Sequence, residues 1–360
     1  MNDALELLIL DSGEPTRAVV YARFGGDTAI EFLSCQLIRE FKRFRDRLND
    51  AAGGQGARPT AVELRDFGRR LFEFVVHSKL LAVYTRLPAE YVRIQVLSNQ
   101  PDLQALPWEY LQEPDAPAGP NNARGVVRIV PTIGMPTPRP RHLKARVRLL
   151  FAYADPIDQG PVAWEDIQAT ITRDFSSRLG KALEIDVIEG TSTEALTKAL
   201  SAKPYDILHF NGHGAVVRDA ENREAGHLIL VDPRTGKRDP LSAERLALLV
   251  TGSNLQLVIL SACSSSSGDF SREYAVVAQA LVDRGVPAVV ANQFPVTNSV
   301  AATFASGLYT KLLQTGDIDE AVANGRLMLA MQPPMGQGAQ LEWGIPTLYR
   351  HVGAAQIFTP

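Results

Sequence analysis

A thiol and an imidazole can cut an amide bond when the imidazole takes the thiol's proton, and this chain offers such a pair in Cys263 and His213. The thiolate is the attacking species, and an isolated cysteine ionises only near about pH 8.5. A histidine titrating near about pH 6.5 accepts that proton and returns it to the leaving amine. His213 stands in HFNGHG (His209–Gly214) and Cys263 in SACSSSSGD (Ser261–Asp269), fifty residues apart. Each segment closes an apolar run, YDILHF or LQLVIL, of the kind that forms a buried strand. In an open α/β sheet, ligands bind beyond the carboxyl ends of strands, so the pattern predicts both residues just past two such ends. Fifty residues leave room for a strand, a loop and a helix between them, and the two ends can be neighbours. Gly212 and Gly214 let the backbone turn sharply and approach a substrate, while Ser261, Ala262 and Ser264–Ser267 leave the thiol unshielded. The backbone N–H groups of Gly214 and Cys263 are the natural donors to a tetrahedral oxyanion.

Taken alone, a cysteine after an apolar strand reads as a core residue. The pairing with a glycine-flanked histidine at a second strand end is what turns the reading towards chemistry. His209 lies on its strand and reads as a satisfied core or supporting histidine rather than a metal ligand. His213 and Cys263 fall short of the three or four ligands of a zinc site. No GxGxxG fingerprint, Walker loop or HExxH motif occurs, so no cofactor or metal is expected. Cys35, in EFLSCQLIREF, reads as a buried, inert thiol, and Trp108 and Trp343 as large core or inter-lobe packing residues.

The elements that must position the pair follow from periodicity. In the second half, strands are expected at Val147–Tyr153, Glu184–Ile188, Tyr205–Phe210, His227–Val231, Leu255–Leu260 and Pro287–Ala291. Helices are expected at Trp164–Leu179, Ser242–Leu249, Glu273–Asp283, Ser299–Leu313 and Ile318–Met331, with a capping box at Thr191–Glu194 opening another through Leu200. Apolar strands alternating with helices predict an α/β fold, a mostly parallel sheet covered on both faces. The first half is less regular: strands at Leu5–Leu10, Arg17–Phe24 and Tyr91–Leu97, helices at Ala29–Leu48 and Ala61–Val75, and a turn-rich loop at Glu113–Gly125. Pro131–His142 holds four prolines and can be neither helix nor central strand. It predicts two lobes, 1–130 and 146–360, joined by a proline-rich linker over 131–145. The basic residues Arg139, Arg141, Lys144, Arg146 and Arg148 read as linker and edge-strand charges rather than an anion site.

Composition sets the outer bounds. With 360 residues, 45% hydrophobic and 21% charged, the chain can bury a sizeable core, which excludes general disorder. A net charge of −3 gives no global pull towards nucleic acid or an anionic membrane. The start, MNDALELLILDSGE, reads as a strand rather than a signal peptide, and no run reaches the roughly 18 apolar residues of a spanning helix. Two cysteines are too few for a disulfide framework, which places the chain in the cytoplasm with reduced thiols.

HFNGHG, LVILSACSSSSGD, GVPAVVANQFPVTN (Gly285–Asn298) and EWGIPTLYRH (Glu342–His351), in that order, resemble the CHAT peptidase family of the caspase–separase clan. A histidine–cysteine gap of about fifty residues also matches caspase signatures, whose local QAC-x-G pattern is absent here. The resemblance is strong over Val147–Val352 and looser before it, where LPWEYL (Leu106–Leu111) is similar to what such domains carry. It implies a caspase-like three-layer α/β/α sandwich with an N-terminal pseudo-caspase lobe. It implies a cysteine endopeptidase acting on a protein partner in a bacterial stress, cell-death or antiviral response, with His213 and Cys263 as the dyad. Related domains are often paired with sensor modules such as tetratricopeptide arrays. No such repeat occurs here, so a sensor or activator would be a separate polypeptide, or activation works differently. Separase-like relatives bind an arginine side chain through an acidic residue near the QFPVTN segment; here that segment has none, and Asp269 is the nearest substitute, with Gln293, Phe294 and Asn298 as further pocket candidates. Two other readings are a catalytically silent caspase-fold scaffold and a hydrolase of another α/β family using the same dyad.

Overall fold

The apolar runs of the second half become neighbouring strands. The computed structural model describes residues 4–12, 17–34, 37–87, 93–98, 101–114, 125–130, 132, 134, 136–143, 146–159, 169, 182–218, 224–262, 270–333 and 340–359. They fall into two compact units: Met1–Ile129 with Ala330–Gly344, and Val130–Leu329 with Ile345–Pro360.

In the first unit, β1 (Ala4–Asp11), β2 (Arg17–Phe24) and β3 (Asp27–Ser34) form an antiparallel meander. Helices α1 (Ile38–Ala52), α2 (Ala61–Val75) and α3 (Ser78–Tyr84) follow. Then come β4 (Arg93–Ser98), the single turn α4 (Pro101–Gln104) and β5 (Val126–Val130); β4 runs parallel to both β1 and β5. The helix expected at Ala29–Leu48 is corrected. Gly25, at φ 58, closes a two-residue turn, and Ala29 and Leu33 alternate buried against exposed Ile30 and Phe32. The segment AIEFL satisfies both periods, and the preceding glycine turn decides for the strand. Helix α2 starts on a capping box in which Thr60 and Glu63 satisfy each other's backbone N–H groups. Trp108 and Trp343 are both buried in this unit; the Tyr110 hydroxyl donates to Leu341 O at 2.6 Å and its ring meets Trp343 edge-on at 4.9 Å.

The second unit holds the sheet that bears on chemistry. Its elements are β6 (Arg141–His142), β7 (Val147–Tyr153), β8 (Leu183–Ile188), α5 (Thr193–Ala202), β9 (Ile207–Arg218), β10 (Glu224–Val231), β11 (Arg238–Ser242), α6 (Ala243–Val250), β12 (Leu257–Ala262), α7 (Phe270–Asp283), β13 (Ala288–Asn292), α8 (Asn298–Thr315), α9 (Ile318–Ala330), β14 (Pro346–His351) and β15 (Phe358–Thr359). Strands β8, β7, β9, β12 and β13 lie side by side and parallel, and β14 adds antiparallel to β13. On one face, Leu208, Phe210, Val258, Leu260, Val289 and Ala291 pack with Leu246, Val250, Val277 and Leu281 from α6 and α7. The other face carries α8, whose Tyr309 reaches the His209 ring, and α9, whose Asp319 holds Arg350 of β14. This is the expected mostly parallel, three-layer α/β/α arrangement.

Two local expectations shift. The cap of α5 is Ser192, whose Oγ accepts from Ala195 N at 3.2 Å; Thr191 is fully buried and donates to Ile188 O instead. Of the basic cluster, Arg141 pairs with the buried carboxylate of Asp206, and Arg148 lies 3.6 Å from Glu184. The helix expected at Trp164–Leu179 lies almost entirely outside the described residues, as do most of the loop after Glu113, Lys144 and Cys35.

Candidate active site

Strand β9 does not stop at Phe210, as its apolar run suggests, but continues to Arg218. It pairs parallel with β7 over Ile207–Asn211 and with β12 over Ile207–Gly212, then antiparallel with β10 from His213 onwards. His213 is therefore inside a strand, at the point where the parallel sheet gives way to a hairpin. The correction has a simple cause. Neither Gly212 nor Gly214 has positive φ, so neither makes a turn. Gly212 supplies space instead: a Cβ there would lie 2.6 Å from Phe210 Cζ and 3.2 Å from Ala154 O. Ala154 N donates to Asn211 O at 3.0 Å, which binds the segment after β7 to the same point.

Alternation along β9 sends Leu208 and Phe210 into the α6–α7 core and His209, Asn211 and His213 to the opposite face. All three polar residues are at most 1% exposed. His209 is fully engaged, its Nδ1 2.9 Å from the Tyr309 hydroxyl and its Nε2 3.1 Å from Ser261 Oγ. Burial lowers its pKa to about 3, so the ring is neutral at physiological pH. Burial likewise pushes the Tyr309 hydroxyl well above its usual range, which keeps its proton on. A buried, neutral His209 with both ring nitrogens bonded is satisfied, as expected of a core histidine.

On β12, the parallel ladder places Ser261 opposite Asn211 and Ala262 opposite Gly212. Cys263 and Asp269 lie outside the described residues, which resume at Phe270. Gly214, half-buried, pairs with Leu228 of β10. Beyond β13, Gln293 and Phe294 are 4% and 0% exposed, and Gln293 N donates to Ile345 O at 3.0 Å. Asn298 is half-buried at the first turn of α8. Tyr309 and Ser261 are the participants that sequence reasoning did not single out. Ser261 stood in the same motif as Cys263 but read only as small, and Tyr309 is one hundred residues from His209 with no local signal. Among the described residues, no helix is long and apolar enough to cross a membrane.

The comparisons agree with this architecture. A family model described as the CHAT domain matches residues 65–350. Among solved structures, the Arg-specific cysteine proteinase gingipain R aligns over 99% of this chain and 79% of its own, at 10% identity and a TM-score of 0.50. Separase from Saccharomyces cerevisiae, in its complex with securin, aligns over 97% of this chain at 11% identity and a TM-score of 0.50. This chain spans only 30% of that separase chain. At such identities the likeness is one of fold, and the fold is that of caspase-like proteases. No curated protein matches the sequence.

Proposed function

Since this chain belongs to the CHAT domain family and has a caspase-like protease fold, we propose that it is a cysteine endopeptidase that cleaves a specific protein partner through Cys263 and His213. The observation that carries this reading is the register at the end of the parallel ladder. Ala262 faces Gly212, so the residue that follows each in the sequence is one member of the pair. Strand alternation carried on from Ser261 would turn the Cys263 side chain to the face that holds His213.

In this mechanism His213 takes the thiol proton, and the Cys263 sulfur attacks the scissile carbonyl carbon. Backbone N–H groups of Gly214 and Cys263 hold the oxyanion as the tetrahedral centre forms. Collapse of that centre expels the amine, which leaves with the proton from His213, and a thioester remains on Cys263. Water, deprotonated by His213, then attacks the thioester and regenerates the thiol. The side chain before the scissile bond is assigned to a pocket lined by Gln293, Phe294 and Asn298, with Asp269 as its acid. Gingipain R is described as Arg-specific, which makes arginine the first residue to test at that position. The setting we assign is a cytoplasmic stress, cell-death or antiviral response triggered by a separate sensor or activator protein.

The test is labelling of new N-termini in a cell extract incubated with the protein, compared with Cys263→Ala and His213→Ala. Loss of the same cleavages in both variants supports the dyad. Cleavage that survives either substitution sinks it. A Cys263 thiol that alkylates no faster than Cys35, with no new N-termini, favours the silent scaffold.

A further inference from the structure

The row of residues that crosses the sheet at His209 is otherwise apolar. Phe151 of β7 and Ile259 of β12 flank it directly, and Val290 of β13 is next. An aliphatic side chain would fill this place without the cost of stripping water from an imidazole. The imidazole is instead met by two hydroxyls, one on each ring nitrogen: Tyr309 from α8 and Ser261 from β12. All three side chains are buried, at 1%, 0% and 6% exposure. This chain of bonds crosses from helix to central strand to the neighbouring strand, and it ends two residues before Cys263.

We propose that His209 is a positioning residue for the dyad, fixing the end of β12 against β9 through Ser261 and against α8 through Tyr309. The inference rests on the reading of Cys263 and His213 as the catalytic pair. His209 itself does no acid–base work, since a ring that stays neutral down to about pH 3 cannot take a proton at working pH. What it supplies is direction. A neutral imidazole offers one donor and one acceptor at fixed angles, and both are spent on hydroxyls that belong to different elements. With Ser261 held, β12 reaches Ala262 in one orientation beside Gly212, and the strand end next to His213 is preorganised before any substrate arrives.

The experiment follows the pH dependence of iodoacetamide alkylation of Cys263 in the full chain, read by mass spectrometry of the peptide that contains it. The variants are Tyr309→Phe, Ser261→Ala, their double, and His213→Ala. Positioning predicts that Tyr309→Phe and Ser261→Ala each raise the alkylation midpoint by about 0.5–1 pH unit, because a misplaced His213 stabilises the thiolate less. The double variant should shift it no further than the larger single one, since both break the same chain. A shift in His213→Ala with none in Tyr309→Phe or Ser261→Ala, even where these melt earlier, overturns the positioning role and leaves the dyad standing. No shift in any variant overturns the dyad and the positioning role together.

Discussion

Gly212 and Ala262 face each other in the parallel ladder between β9 and β12, and the residues that follow them in the chain are His213 and Cys263. At this line β9 leaves its parallel partners and goes on to pair antiparallel with β10. A caspase-like fold thus concentrates its candidate chemistry where the sheet opens, the place at which α/β sheets bind ligands.

Gly212 is the residue whose size this geometry fixes. A methyl group there meets the Phe210 ring at 2.6 Å, and Phe210 is itself 1% exposed, so the ring has nowhere to swing. Gly212→Ala should cost about 1–3 kcal/mol as an overpacked core site. It should also slow Cys263 alkylation by displacing His213. Gly26→Ala, whose new methyl has no atom within 4 Å, serves as the control and should unfold at the wild-type urea concentration.

The depressed pKa of His209 has a consequence for acid stability. The unfolded chain protonates this ring near about pH 6.5, while the folded one resists down to about pH 3. Between these values the unfolded state binds the extra proton, so stability falls as pH drops, by up to about 1.4 kcal/mol per pH unit from this group. His351, its pKa lowered by burial and then by Arg350, pushes in the same direction. Urea unfolding at pH 7 and pH 5 should show a steeper loss in the wild type than in His209→Gln. Parallel losses would mean that the ring is not held neutral.

How far the sequence speaks can be judged from single residues. Runs such as LVILSA and AVVAN are apolar on both faces and can only be central strands, which is why the parallel sheet was legible. HFNGHG was not legible as a strand, because its glycines read as a turn while Gly212 makes room beside the Phe210 ring. AIEFL fitted a helix and a strand equally, and only the Gly25 turn separates the two. Ser192 took the cap from Thr191 because Thr191 is buried and bonded backwards to Ile188. Tyr309 and Asp319 could not be found at all, since their partners lie 100 and 31 residues away and no local pattern links them.

The LPWEYL segment makes a prediction in the first unit. The Tyr110 hydroxyl, at 1% exposure, donates to Leu341 O at 2.6 Å, and Gly344 lies so close that a Cβ would touch the Tyr110 ring at 2.3 Å. Tyr110→Phe keeps the ring packing on Trp343 and removes one of two donors to the Leu341 carbonyl, which also accepts from Gly344 N at 3.2 Å. The loss should be about 0.5–1.5 kcal/mol. Gly344→Ala, which forces backbone against the ring, should be worse. Thermal unfolding of both variants decides this, and a Tyr110→Phe protein as stable as wild type would show that the Gly344 N–H alone satisfies the carbonyl.

Arg350 in the LYRH segment is explained by charge rather than chemistry. Its Nε and Nη2 each lie 2.8 Å from an oxygen of Asp319, and Nη1 donates to the carbonyls of His351 and Val352 at 2.9 Å. Both side chains are 0% exposed, so the pair joins α9 to β14 in a dry setting. Removing one partner strands the other charge, and Asp319→Ala should therefore cost about 3–5 kcal/mol. Replacing both together, as in Asp319→Leu with Arg350→Met, exchanges two desolvated charges for apolar contacts and should recover much of that loss. The Val352 carbonyl left by Arg350 limits the recovery, by about 1–3 kcal/mol if no water reaches it, whereas the His351 carbonyl keeps the Ala354 N–H at 3.0 Å. Denaturant titrations of the two single variants and the double give the coupling energy directly. A coupling near zero would mean that Arg350 is held by the His351 and Val352 carbonyls alone, and the ion pair would then have no part in fixing β14.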